Sequence, residues 1–207
     1  MGSNLDQIES DLATSQLRML GRCAAPENAG TILLIGPDEP NFWPAFTKSP
    51  EYRDSQPNPL DRWSTRTLTA IANQHDVQAL FPFGGPPYHP FYTWAVNSGR
   101  FWPSPIGFLV HDTAGLFASF RGALLIPDHL PADTAIKPCA TCAKPCATAC
   151  PVGAFNDGYN VDACKNHLRS PEGADCMSQG CRARRACPVG QGNRLPEQAA
   201  FHMNSFL

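Results

Sequence analysis

The segment Cys139-Ala-Thr-Cys142-Ala-Lys-Pro-Cys146-Ala-Thr-Ala-Cys150-Pro151 holds four closely spaced cysteines. Four more cysteines follow at wider intervals, and the last of them precedes Pro188. An iron–sulfur cluster needs several thiolates within reach of one short looping segment, because its irons lie only a few ångströms apart. The sequence therefore predicts one or two [4Fe–4S] clusters. The predicted metal ligands are Cys139, Cys142, Cys146, Cys150, Cys164, Cys176, Cys181 and Cys187.

Two Cys-Pro pairs, Cys150-Pro151 and Cys187-Pro188, suggest how the ligands divide between two clusters. In two-cluster ferredoxins the cysteine that precedes proline ligates the other cluster. On this hypothesis Cys187 completes a first cluster, and Cys150 belongs to a second one. The first set is Cys139, Cys142, Cys146 and Cys187, and the second set is Cys150, Cys164, Cys176 and Cys181.

Zinc is the rival metal, because two four-cysteine zinc sites need the same number of thiolates. Zinc ribbons usually pair two Cys-x2-Cys knuckles, whereas this chain has one, at Cys139 and Cys142. The spacing thus favours iron–sulfur over a zinc-stabilised interaction module, which stays as an alternative. Cys23 stands alone beside an apolar strand and is predicted to be a buried free thiol.

The composition allows a packed core, with 43% hydrophobic and 16% charged residues, and 21 prolines predict much extended loop. Residues 1–136 carry 8 basic and 13 acidic side chains, and residues 137–207 carry 8 and 5. The resulting basic excess of three around the cysteines is too small to indicate nucleic-acid binding. No apolar run reaches the roughly 20 residues of a membrane span, and the N-terminus lacks a secretory pattern. We therefore expect a cytoplasmic protein, in which cysteines are more often metal ligands than disulfides.

Hydrophobic periodicity and turn residues predict an α+β domain over residues 1–132, followed by a small loop-rich module over residues 133–207. The predicted helices are 5–20, 61–73, 90–96 and one that follows Leu195-Pro196. The predicted strands are 31–36 and 77–83, with a β-hairpin formed by 106–111 and 116–126. Residues 37–62 are predicted to form an ordered surface loop.

Residues 98–168 resemble the core of epoxyqueuosine reductases. The resemblance lies in SGRFWPSPIGFLVHDTAGLFASFRGALLIPDHLP, in CATCAKPCATACPVGAF and in GYNVDACKNHL, which occur here in that order. Those enzymes join a cobalamin-binding, nitroreductase-like sheet-and-helix domain to a ferredoxin-like module with two clusters, and corrinoid reductive dehalogenases share the layout. Residues 111–122 also resemble the cobalamin-processing chaperone family, which lacks clusters.

The resemblance implies [4Fe–4S] ligation by seven of the eight cysteines, and it places a corrin or flavin pocket near His111, Gly115 and Arg121. The alternative for His111 is local, since a histidine at a strand end can simply hydrogen-bond the turn at Asp112. The seven implied ligands are Cys139, Cys142, Cys146, Cys150, Cys164, Cys181 and Cys187.

The sequence also departs from the reductases. Their tight Gly-Cys-x2-Cys-x3-Cys-Pro ending lacks its middle cysteine here, and Cys176 is the candidate replacement. Pro103-Ser-Pro105 stands in place of their lysine-containing segment, and we identify no catalytic acid. The favoured function is therefore a ferredoxin-like electron-transfer protein that meets a redox partner protein. A cobalamin-dependent oxidoreductase is the alternative, and enzymatic activity is left open.

Three arginines, Arg182, Arg184 and Arg185, lie between two predicted ligands. They could raise the potential of a cluster or receive an acidic partner. The simpler interpretation, which we favour from the sequence, is a solvated basic face.

Overall fold

The computed structural model describes residues 5–207. The helices are α1 (Leu5–Thr14), α2 (Phe42–Phe46), α3 (Pro50–Arg53), α4 (Pro59–Gln74), α5 (Phe91–Asn97), α6 (Val161–Arg169), α7 (Ala174–Gln179), α8 (Arg182–Arg185) and α9 (Pro196–Phe206). The strands are β1 (Leu17–Ala24), β2 (Thr31–Pro37), β3 (Gln78–Leu80), β4 (Phe101–Pro103), β5 (Leu109–His111) and β6 (Gly122–Ile126). Helices and antiparallel strands are mixed along the chain, which confirms the predicted α+β class.

The main sheet has four strands in the order β1-β2-β6-β3, and all neighbouring pairs are antiparallel. All seven residues of β2 are buried, as its continuous apolar sequence predicts for a central strand covered on both faces. The sheet core continues into α4, where Trp63, Leu68 and Ile71 are buried. The sequence predicted that inward face correctly, although α4 begins at Pro59 rather than at residue 61.

The predicted helix over residues 5–20 is wrong in its second half. Helix α1 ends at Thr14, Gln16 adopts a left-handed conformation with φ 56°, and the chain then enters β1. A bulge between Met19 and Gly21 breaks the strand's alternation, so Leu17, Leu20 and Cys23 are all buried. That spacing of three residues imitates one face of a helix. Cys23 is buried as predicted, and burial raises the pKa of its thiol to about 11.

The predicted hairpin of residues 106–111 and 116–126 is also wrong. Strand β5 pairs with β4 in a separate two-stranded ribbon, and β6 lies between β2 and β3 in the main sheet. Of that prediction, only the tight turn is confirmed, because His111 and Gly115 form an isolated antiparallel bridge. Residues 37–62, predicted as loop, include α2 and α3, whose aromatic side chains pack with Trp63; the Phe42 and Trp63 ring centroids lie 5.3 Å apart.

The chain divides into two compact units. The first comprises residues 1–101 and 119–135, and the second comprises residues 102–118 and 136–207. The sequence analysis placed a single boundary at residue 132, whereas 102–118 pack with the cysteine-rich segment. The sheet of β1, β2, β6 and β3 lies in the first unit, and all eight predicted metal ligands lie in the second.

Over residues 5–207, no helix combines the length and the apolar character that crossing a bilayer requires.

Candidate metal centre

The first cysteine group is built by a loop and by one distant residue. Cys139, Cys142 and Cys146 lie on a loop that turns at Lys144, whose φ is 58°, and then enters a 3₁₀ turn at Pro145–Ala147. Burial raises the pKa of the Cys139 thiol, and the nearby Cys187 and Cys142 thiolates raise it further. Burial likewise raises the pKa of the Cys146 thiol. The neighbouring Cys187, Cys139 and Cys142 thiolates raise it further, in decreasing order of effect. These four cysteines therefore lie near one another, and Cys146 and Cys187 share one hydrophobic core against which Cys139 packs, although Cys187 is far away in sequence.

A small hydrophobic core supports this first group. Cys146 and Cys187 are buried together with Ile106, Val110 and Leu116 from the segment that precedes the cysteines. Burial of these side chains removes apolar surface from water and fixes the loop that carries the sulfurs. The segment 102–118 thus forms part of the framework that holds the first cysteine group.

The second group lines a small, partly open apolar pocket. Its cysteines come from the loop after the first group, from α6, from α7 and from the start of α8. The pocket is walled by apolar side chains, including Phe155, Leu168 and Met203. Burial raises the pKa of Cys164, which the Cys150 and Cys176 thiolates raise further. The four cysteines lining the pocket are Cys150, Cys164, Cys176 and Cys181.

Hydrogen bonds from the backbone reach sulfurs of both groups. The Lys144 amide lies 3.3 Å from Cys142 Sγ, and the Ala154 amide lies 3.3 Å from Cys150 Sγ. Burial raises the pKa of Cys181, while backbone amides of Arg184 and Ala183 that donate to its sulfur oppose the increase. Such donors stabilise thiolates and are among the means by which proteins set cluster potentials.

Tyr159 adds a side-chain donor to the second group, and the sequence analysis did not identify it. Its hydroxyl hydrogen-bonds Cys164, which lowers the pKa of that thiol and, together with burial, raises the pKa of Tyr159. The ring is held between neighbours, with the Phe155 centroid at 4.9 Å and 16° and the Phe108 centroid at 5.3 Å and 86°. The only sequence signal for this residue is a tyrosine five positions before a predicted ligand.

The three arginines of α8 have different environments, so they do not form one solvated face. Arg182 and Arg185 both pair with the Asp175 carboxylate, with Arg182 Nε at 2.6 Å. Arg184 instead donates from Nε to the Leu116 carbonyl at 2.7 Å, and its guanidinium lies 5.1 Å from the Phe117 ring centroid. Burial lowers the pKa of Arg184, and the nearby Cys181 thiolate and Tyr159 oppose that decrease. One cation is therefore held inside the unit, close to the second group.

The predicted corrin or flavin residues fall into two places. His111 is buried and accepts hydrogen bonds at Nδ1 from the Thr113 and Ala114 amides, at 3.2 and 3.0 Å. Its Nε2 therefore carries the proton and lies 3.0 Å from Asp112 Oδ1. These contacts are those of the local alternative, in which His111 holds the turn.

Gly115 exchanges two backbone hydrogen bonds with His111 and has φ +59°. A Cβ there would meet the Val189 carbonyl oxygen at 2.0 Å and Cys187 Sγ at 3.4 Å. The glycine is therefore required by a close backbone approach beside the first cysteine group.

Arg121 belongs to the first unit, whereas His111 and Gly115 belong to the second. Its amide donates to the Ile35 carbonyl at 2.8 Å, and its Nη2 donates to Ser119 Oγ at 3.0 Å. Burial lowers the pKa of Arg121 to about 10, and the Asp61 and Glu39 carboxylates oppose that decrease. Within its unit, Arg121 ties β6 to β2 and balances acidic neighbours.

None of the nine cysteines forms a disulfide. In the part of the chain that the structure describes, no three His, Cys, Asp or Glu side chains are arranged as a single bound ion requires. Each group supplies four thiols and amide donors, a set that fits a cluster.

Neither a protein-family model nor a curated protein matches this sequence.

Proposed function

We propose that this protein is a ferredoxin-like electron-transfer protein that binds two [4Fe–4S] clusters, one in each cysteine group. The observation that carries the proposal is the interleaved convergence of the eight cysteines. Cys187 lies with three cysteines of the first run. The fourth cysteine of that run, Cys150, lines the pocket of the second group. Two-cluster ferredoxins divide their ligands in the same way.

The surroundings of the sulfurs support the same proposal. Apolar side chains cover both groups, amide donors point at the thiolates, and Arg184 places a cation near the second group. Each of these features favours a more negative, reduced cluster or keeps water away from it. When bound, a cluster supplies one-electron oxidation and reduction. The chain's residues hold the thiolates, exclude water and donate the hydrogen bonds.

Two alternatives remain from the sequence. A corrinoid-dependent reductase, with a nitroreductase-like first unit, follows from the resemblance alone, and its implied residues His111 and Arg121 make the local contacts described above. A zinc-stabilised interaction module would use the same thiols. Cytoplasmic location and a redox partner protein likewise stay predictions.

The test is anaerobic reconstitution with iron and sulfide, followed by metal analysis and EPR of the reduced protein. We expect about eight irons per chain for two clusters. Cys187→Ala should remove one EPR signal and about half of the iron, and Cys164→Ala should remove the other. Stoichiometric zinc with no bindable iron would show that the proposal is wrong.

The same preparation distinguishes the alternatives. A cobalamin spectrum that changes on addition of the protein would favour the corrinoid reductase. If instead Cys150→Ala removes the signal that Cys187→Ala leaves intact, the first run is a self-contained four-cysteine site and the interleaved division is wrong.

A further inference from the structure

The loop that carries the first cysteine group presents two exposed lysines and no acidic side chain of its own. Residues 134–156 contain no Asp or Glu, while Lys137 and Lys144 are both exposed. Both ammonium groups lie close enough to Cys139 to lower the pKa of its thiol, against the larger effect of burial. The only charges in this stretch of the chain are thus positive and adjacent to a predicted cluster ligand.

The exposed residues between and beside these lysines are small or apolar. Ile136 is 87% exposed, and Ala140, Thr141, Ala143 and Pro145 are exposed as well. Cys139 and Cys142 are themselves partly exposed. A partner protein seated on this loop would therefore approach two ligand sulfurs without displacing any large side chain.

Around the second group, exposed cations such as Arg169 and Arg182 are accompanied by carboxylates, because residues 157–175 contain four acidic side chains. The guanidinium groups of Arg182 and Arg185 pair with Asp175, and Arg184 donates to a backbone carbonyl inside the unit. The apolar wall of its pocket includes Met203 from α9. Charge complementarity to an acidic partner consequently favours the first group, whose own stretch of chain has lysines and no carboxylate.

We propose that the surface formed by Ile136, Lys137, Thr141 and Lys144 is where an acidic one-electron carrier protein docks and exchanges electrons with the first cluster. The inference rests on the proposed function, because it needs a cluster at the first group. In the step itself, one electron leaves the reduced carrier and enters the oxidised cluster, and no covalent bond forms or breaks. Carboxylates of the carrier would face the two ammonium groups, and its apolar contacts would cover Ile136.

The test uses the full chain reconstituted with both clusters and a reduced, acidic flavodoxin as the carrier, followed by stopped-flow absorbance. Lys137→Glu/Lys144→Glu should lower the second-order rate constant about tenfold at low salt, because steering by opposite charges becomes repulsion. The dependence of the rate on ionic strength should weaken or reverse in the same variant. Reduction by photoreduced deazaflavin, a small reductant that needs no docking surface, should be unchanged.

Lys48→Glu, at an exposed lysine of the first unit, is the control for a general change in net charge. For each lysine replaced, Lys48→Glu should change the rate constant less than half as much as the double variant does. The proposal is overturned if the double variant reacts as fast as the parent with flavodoxin, or if Lys48→Glu slows the reaction equally per charge. It is also overturned if Arg182→Glu, and not the lysine variant, slows it. Failure to form any cluster would appear beforehand as missing iron and EPR signals, and that result counts against the proposed function.

Discussion

Tyr159 is the side chain best placed to tune the potential of a cluster held by the second cysteine group. Its hydroxyl hydrogen-bonds Cys164, and a tyrosine hydroxyl keeps its proton at neutral pH even at its ordinary pKa of about 10. A hydrogen bond to a ligand sulfur stabilises the more negative, reduced cluster and so raises its potential. In the first group, the Lys144 backbone amide donates to the Cys142 sulfur.

We predict that Tyr159→Phe lowers the potential of the second cluster and leaves that of the first unchanged. A net hydrogen bond of about 1.4 kcal/mol corresponds to a tenfold change in the ratio of reduced to oxidised cluster, or about 59 mV for one electron. The ring contacts with Phe155 and Phe108 need no hydroxyl and should persist. EPR-monitored redox titration measures both potentials, with Tyr92→Phe, at an exposed tyrosine of the first unit, as control. Unchanged potentials in Tyr159→Phe would show that the hydroxyl has no tuning role.

At the scale of elements, the turn that links His111 to Gly115 supports the first cysteine group. Its backbone approaches the chain at Val189 so closely that a Cβ on Gly115 would lie 2.0 Å from a carbonyl oxygen. Gly107, in the same unit, has a similar positive φ of +80° but open space around it. A substitution at either glycine would therefore strain the backbone. Only a substitution at Gly115 would also bring a Cβ against the Val189 carbonyl oxygen.

We predict that Gly115→Ala destabilises the protein by at least about 2 kcal/mol more than Gly107→Ala does. The strain of a positive φ, about 1 kcal/mol, affects both variants, while the clash with Val189 affects only the first. Thermal unfolding of the reconstituted proteins measures the difference, and iron content should fall in Gly115→Ala alone. Equal melting temperatures would mean that the backbone near Val189 moves away at no cost.

The sequence indicates some elements and obscures others for identifiable reasons. The buried strand β2 and the inward face of α4 follow from uninterrupted or periodic apolar residues. Strand β1 is obscured because its bulge spaces buried residues as a helix would. The helices α7 and α8, with 6 and 4 residues, are too short to show periodicity.

For the candidate centre, local cysteine spacing and the two Cys-Pro pairs suffice to suggest the two groups. The contact between Tyr159 and Cys164 does not follow from spacing, since it depends on how Phe108 and Phe155 hold the Tyr159 ring. The inward position of Arg184 also depends on partners outside its own element, at Leu116 and Phe117. Neighbouring arginines in one sequence motif therefore acquire different roles.

At the scale of the whole molecule, the two units should respond differently to loss of metal. The first unit has its own sheet core around the fully buried β2. In the second unit, several of the buried core positions are cysteines, including Cys146, Cys176 and Cys187. If clusters join these sulfurs, their removal takes away the links that hold the loops together.

We predict that the chelator-treated protein is cleaved by trypsin within residues 139–194, while residues 5–101 stay protected. Lys165, Arg169 and Arg182 provide cleavage sites within this segment, whereas trypsin does not cut the Lys144-Pro145 bond. Mass spectrometry of timed digests gives the order of cleavage, and the reconstituted protein is the control. Identical digestion patterns with and without metal would show that the second unit folds on its protein contacts alone.

The interrupted path of the chain through the second unit has a consequence for protein engineering. Because Ile106, Val110 and Leu116 precede β6 in sequence but pack with Cys146 and Cys187, a gene fragment that starts at residue 133 omits the apolar floor of the first group. Such a fragment would encode all eight predicted ligands and still lack part of their scaffold. The cysteine-rich part therefore cannot be transferred to another protein as one continuous segment. Grafting it requires residues 102–118 as well.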